Sequence, residues 1–256
     1  PVSIAAVILF GIPALLVIAV CVVSAVAGEA VFNIAVKKEQ TIGDLSAVVT
    51  GLILALNLPA NVPLWQAAVG SVFAIVIVKG IFGGLGKNIV NPAIAARVFM
   101  LIAFGSMTKA AFPTGLDSVS GATPLADLAN DKAVNLLDLF LGKCGGALGE
   151  TCTVALLIGG IYLLVRKVIS WHIPVAFIAT TFIFTLAVHD FDFMLALSLI
   201  LSGGLFLGAI FMATDYTTSP TTKWGKIIFG IGCGLLTFVI RKFAALPEGI
   251  SYSILL

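Results

Sequence analysis

Apolar runs, cut only by short clusters of charge, proline and glycine, follow one another from one end of the chain to the other. A helix needs about 20 apolar residues to cross a bilayer, and segments near that length recur here. Of the 256 residues, 60% belong to the AVILMFWYC set and 10% are charged, and the mean hydropathy is +1.18. An average soluble domain is about 25% charged. So many apolar side chains cannot all hide inside one globule of this size, so most of the outer surface must face lipid. An ordinary soluble enzyme is excluded, and topology becomes the first question.

The formal net charge is +2 and no basic run exceeds a pair, which leaves no electrostatic footprint for nucleic acid. Cys21, Cys144, Cys152 and Cys233 lie in apolar or glycine-rich stretches at spacings that fit neither a zinc site nor a CxxC pair, and read as small core residues. The apolar runs at both ends, without the basic region and cleavage site of a signal peptide, read as truncated membrane helices of a longer native protein.

Cutting at the charge and Pro/Gly clusters gives apolar segments at 1–10, 13–36, 45–57, 64–82, 92–107, 136–141, 151–165, 173–188, 193–212 and 226–240, with a last one opening at Gly249. The expected fold is all-α and polytopic, with about 9–10 transmembrane segments, several of them short or broken. Residues 108–135 form the one long polar loop. Counting Lys and Arg in short loops puts Lys37 and Lys38, Lys79 and Lys87, Arg166 and Lys167, and Lys223 and Lys226 on the inner face. Loop 108–135 and residues 189–192 then lie outside, and Arg241 with Lys242 dissents. The string 50–57 followed by Pro63, Trp65 and Gly70 can be laid on 207–214 followed by Pro220, Trp224 and Gly230. The two copies run in opposite directions through the span count, which is the pattern of inverted repeats: 45–107 as the first and 193–256 as the second, truncated one.

His172 and His189 sit at span ends on opposite faces without a nucleophile motif nearby, and no local metal-ligand pattern is present. The informative segment is Asp117 to Leu125 in the long loop. Ser120, Gly121 and Ala122 leave the backbone accessible, and Pro124 pushes Thr123 out of helical conformation and displays its hydroxyl. Such a hydroxyl can be esterified; equally, Thr123 can serve as N-cap with Pro124 at the first helical position. Arg97 lies early in a span and needs an anion, a neighbouring carboxylate or a polar cavity, unless it snorkels to the inner headgroups. The glycines around Gly146, Gly149 and Glu150 allow close approach, either of another helix or of a ligand.

The string Asp-x-x-Ser-Gly-Ala-Thr ending at Thr123 resembles the flavinylation motif of the RnfD/NqrB family, membrane subunits of the Rnf complex and of the sodium-pumping NADH:quinone oxidoreductase. The resemblance covers nearly the whole chain: 41–51 with 54–59, 81–88 with Asn91, Pro92 and Ala93, and 211–215 with Thr218, Ser219 and Pro220 are similar to family blocks in the same order. The wording of 45–51 and 212–220 is closer to RnfD. The family's N-terminal soluble piece and first half-span have no counterpart here, nor does the end of its last helix.

This resemblance implies FMN joined through its phosphate to Thr123 by a flavin transferase. Asp117, Ser120, Gly121 and Ala122 would then be transferase-recognition and flavin-bed residues. It further implies an anionic flavin as one possible partner of Arg97, flavin contacts at Gly146, Gly149 and Glu150, and a second, non-covalent riboflavin or FMN in addition. The implied role is a relay subunit in a ferredoxin:NAD oxidoreductase of the bacterial or archaeal inner membrane, with sodium or proton translocation and the flavin loop on the outer face. Its partners would be membrane iron–sulfur subunits, an outer covalent-FMN subunit and an NADH-binding subunit. The competing reading, from topology alone, is a non-redox channel or secondary transporter for a small solute such as urea.

Overall fold

The computed structural model describes residues 1–108, 110–114, 123–129, 134–244 and 249–256. Among these the regular structure is helical, apart from one isolated antiparallel bridge between Ala111 and Gly146. The helices fall where charge, proline and glycine cut the sequence: α1 Val2–Phe10, α2 Ile12–Ala35, α3 Ser46–Leu56, α4 Leu64–Val72, α5 Pro92–Ala103, α6 Pro124–Ala129, α7 Leu136–Leu141, α8 Thr153–Val165 and α9 His172–Val188. After them come α10 Phe193–Leu201, α11 Leu205–Leu207, α12 Lys223–Phe243 and α13 Gly249–Leu255. Two wide π-turns prolong helices, Phe73–Gly80 after α4 and Gly208–Met212 after α11. Helices α2 and α12 are long and apolar enough to cross a bilayer alone. The α3, α5, α8 and α9 helices and the Leu64–Gly80 unit are shorter apolar helices, and α10 with the α11 unit is a span bent by 64°. The chain is an all-α, multi-pass membrane protein.

Local chemistry explains the boundaries. Asn91 caps α5, its Oδ1 accepting from the Ala93 and Ile94 amides at 3.0 and 3.3 Å, with Pro92 at the first helical position. Asp192 and Thr222 cap α10 and α12 in the same way. On α2 the buried stripe is Ala14, Val17, Cys21, Ala25 and Gly28, spaced by three and four residues, while Ile12, Leu15, Leu16, Val23, Val31 and Ile34 face outward. Small residues on the buried stripe let backbones approach, which is what holds helices together where lipid is as apolar as leucine.

The contacts of those small residues give directions. A Cβ on Gly28 would touch Val72 and Val76, and one on Gly80 would meet Phe32, while Cys21 lies beside Ala67; α2 and the α4 unit therefore run parallel. Gly230 lies against Ile173 and Ala176, and Gly234 against Phe177 and Thr180, so α9 and α12 are parallel as well. Between each parallel pair in the chain lies a short or broken segment, α3 in the first set and the α10–α11 unit in the second.

The sequence reads 193–212 as one span, and the structure breaks it at Ser202, Gly203 and Gly204. Gly203 takes φ +69°, which glycine adopts without steric cost. The freed carbonyls at the end of α10 are met by Arg241, which donates from Nη1 to Leu199 O at 2.9 Å and from Nη2 to Ser202 O at 3.2 Å.

Candidate functional site

Thr123 immediately precedes α6, and its carbonyl accepts the Asp127 amide at 2.9 Å. Its Oγ1 accepts the Ala126 amide at 3.3 Å, so Thr123 is the N-cap, and Pro124 behind it is buried. The side chain is half-buried, and among the described residues nothing receives its O–H. Helix α6 rests on α10. Asp117, Ser120, Gly121 and Ala122 lie outside the described residues.

Arg97 and Glu150, 53 positions apart, come together: Nη2 donates to Oε1 at 2.9 Å, with the side chains 2% and 8% exposed. Arg97 does not snorkel; its charge is held inside the protein. Glu150 reaches it from the turn that follows the glycine cluster, and that turn is pinned by three backbone bonds to two other segments. The Gly146 amide donates to Ala111 O at 2.9 Å, Leu148 to Leu58 O at 2.9 Å and Gly149 to Leu56 O at 2.7 Å. The ion pair thus sits where the C-terminal end of α3, the 146–151 turn and the break after α10 meet. A Cβ on Gly204 would lie 2.9 Å from Glu150 Oε1, so only glycine leaves the carboxylate its place. Gly146 flanks the other carboxylate oxygen and Thr151. Thr151 is buried, and its hydroxyl has no hydrogen-bond partner among the described residues.

Gly149 is closely packed: a Cβ there would lie 2.8 Å from Leu56 Cβ, 2.9 Å from Leu56 O and 3.2 Å from Leu207. Gly149→Ala is expected to force the turn away from α3 and to cost about 1–3 kcal/mol. A thermal-unfolding series in detergent checks this, since an unchanged midpoint would mean the turn moves freely.

The sequence blocks at 54–59, 91–93 and 211–215 meet in space. Asn57 Nδ2 donates to Ile53 O at 2.7 Å and to the Met212 sulfur at 3.4 Å, while Asn91 Nδ2 donates to Met212 O at 3.3 Å. Two buried amides therefore bind the end of the Gly208–Met212 π-turn to α3 and α5.

Sequence reasoning missed a second buried ion pair. Glu29 on α2 and Lys79 in the Phe73–Gly80 π-turn are 5% and 3% exposed, with Nζ to Oε1 at 2.5 Å. The same ammonium donates to Ser46 Oγ at the start of α3, and Thr41 Oγ1 donates to Glu29 Oε1 at 2.9 Å. Asn33 supports Thr41 at 3.1 Å. Glu29 Oε2 is buried and has no hydrogen-bond partner among the described residues. The network continues to Asp44, which accepts from the Ser46 amide at 2.8 Å and from its hydroxyl. Partial burial pushes the Asp44 carboxyl up, but the Ser46 hydrogen bonds and the Lys79 charge together outweigh it and hold the pKa below the ordinary carboxylate value. The sequence signal was present: a Glu and a Lys each inside an apolar run, neither affordable in hydrocarbon without a counter-charge. Counting Lys79 among the loop cations concealed it.

The arrangement defines a class: a polytopic helical membrane protein with buried charge pairs, one of them beside a helix break, and a threonine that caps the short helix α6. Comparison with known proteins places it further. The sequence profile of the NQR2, RnfD, RnfE family matches residues 1–256, and the chain belongs to that family. It is 51% identical, over 96% of its own length and 78% of the relative's, to the D-type subunit of the Na(+)-translocating ferredoxin:NAD(+) oxidoreductase complex of Acetobacterium woodii. With the D-type subunit of the proton-translocating ferredoxin:NAD(+) oxidoreductase complex of Clostridium ljungdahlii the identity is 40%, over 96% of this chain and 80% of that one. The B-type subunit of the Na(+)-translocating NADH-quinone reductase of Pseudomonas paraeruginosa is 38% identical over 81% of this chain and 55% of its own.

Proposed function

We propose that the chain is the D-type membrane subunit of an ion-translocating ferredoxin:NAD oxidoreductase, working with the other subunits of that complex in the cytoplasmic membrane. In this reading Thr123 carries FMN as a phosphoester on the outer face, and the subunit contributes to sodium or proton translocation. The observation that carries the electron-relay reading is the 51% identity, over 96% of the chain, to a subunit so named. Support for the tether comes from Thr123 itself. Its oxygen accepts one amide and its O–H is used by nothing described, so an ester in place of the hydroxyl proton breaks no described bond. The parallel pairs α2 with the α4 unit and α9 with α12, each with a short or broken segment between, support the inverted-repeat organisation.

A bound FMN would supply reversible one- and two-electron chemistry. The chain's own groups then have separable tasks. Thr123 fixes the attachment point at the head of α6, and Pro124 holds the backbone there out of a continuing helix. Helix α6 leans on α10, and the break that follows α10 is held by Arg241 and flanked by Glu150. A charge change at the loop is thereby linked through one short helix to the Arg97–Glu150 pair. The Glu29–Lys79 pair keeps the opposite charges of α2 and the π-turn in low dielectric, where occupancy by a cation or proton would be felt most strongly.

Mass spectrometry of the peptide that contains Thr123, from protein co-expressed with its flavin transferase, tests the tether. The expected result is an adduct with the mass of an FMN phosphoryl linkage on that residue. An unmodified peptide from otherwise flavinylated membranes would overturn it and leave the transporter reading in possession.

A further inference from the structure

Away from the residues above, the turn between α8 and α9 and the first turn of α12 line an open pocket of about 550 Å³ with mixed walls. Its polar lining is Lys167 and Ser170 from the turn and Lys226 from the first turn of α12; its apolar lining is Leu164, Val168 and Trp171. Among the described residues neither lysine makes an ion pair. Arg166 and Lys223 stand beside them, and no acidic residue occupies the first turn of α9 or α12. Lys223 and Lys226 sit at the positive end of the α12 dipole, where cations are disfavoured unless an anion is present. His172, stacked on Trp171 at 4.3 Å between ring centroids, has a buried Nδ1 without a described hydrogen-bond partner.

The surroundings point to lipid. Val168, Trp171 and Trp224 are 69%, 56% and 76% exposed next to these cations, the mixture found at a membrane–water boundary. From the pocket an exposed apolar lane runs back along α8 through Val165, Ile161 and Ile158, which share one helix face. A soluble anion would use the lysines and gain nothing from that lane; a phosphodiester with acyl chains uses both.

We propose that this pocket binds the headgroup of an anionic phospholipid of the leaflet on the Arg166/Lys223 side. Lys167 and Lys226 hold the phosphate, Ser170 donates to it, Trp171 covers its glycerol edge, and one acyl chain lies along α8. The site is independent of the flavin reading, so Thr123→Ala leaves it intact.

The test uses the assembled complex in bilayers that contain phosphatidylglycerol or phosphatidylcholine with a diazirine in the acyl chain, with the cross-linked peptides mapped after digestion. Phosphatidylglycerol is expected to label residues 158–171 in preference to phosphatidylcholine. Each juxtamembrane lysine is worth about fivefold, so Lys167→Gln with Lys226→Gln should reduce the preference by roughly 30-fold. Lys167→Arg with Lys226→Arg should retain it, which separates loss of charge from loss of fold. Equal labelling by both lipids, or no labelling of 158–171, overturns the proposal. Abolition of the preference by millimolar inorganic phosphate would assign the pocket to a soluble anion and overturn it equally.

Discussion

Thr123→Ala is expected to remove all covalent flavin from the chain, leaving a dark band where the wild-type polypeptide keeps flavin fluorescence on a denaturing gel. The variant also removes the cap of α6, because Oγ1 accepts the Ala126 amide. Loss of such a cap costs about 1 kcal/mol. That is too little to turn a fully modified population into a fully unmodified one by unfolding a six-residue helix. Thr123→Asn separates the two roles, since asparagine caps at least as well as threonine but offers no hydroxyl to esterify. The expected pattern is that both variants are dark and assemble normally, with the asparagine variant the more stable. Fluorescence persisting in either would overturn Thr123 as the attachment point and place the tether at another residue of the chain.

Lys79→Met is expected to be the most destabilising single change in the α2–α3–α4 group. It leaves Glu29 buried with no cation, and breaking a buried pair by removing one partner costs about 3–5 kcal/mol. For a chain of this size that corresponds to a fall in melting midpoint on the order of 10 °C. Adding Glu29→Gln should recover most of the loss, because the uncompensated charge is gone and Thr41 can still bond the amide oxygen. A double-mutant cycle read by thermal unfolding in detergent measures the coupling. Additive single and double effects would show that the two side chains do not depend on each other.

The segment map was largely legible because membrane helices are bounded by residues that cannot continue them. Asn91 before Pro92, Asp192 before Phe193 and Thr222 before Lys223 cap the helices within four residues of where hydropathy alone begins them. The break at 202–204 was not read, although Ser202, Gly203 and Gly204 stand in the sequence, because the apolar residues on both sides made one uninterrupted run. Arg97 was recognisable as a cation in need of an anion. Its partner was not, since Glu150 is 53 residues away and is delivered by backbone bonds of the 146–151 turn to Leu56, Leu58 and Ala111. Asn57 and Asn91 were visible as parts of separate blocks, and only the fold shows that both grip Met212. Side-chain pairing across a bundle depends on helix rotation and depth, neither of which a linear pattern of hydropathy encodes.

Arg241 bears on the orientation of the protein in its membrane. A guanidinium turned inward onto the Leu199 and Ser202 carbonyls is engaged by the protein's own backbone. It therefore cannot be weighed as a headgroup-facing charge, and the lone dissent in the topological tally shrinks to Lys242.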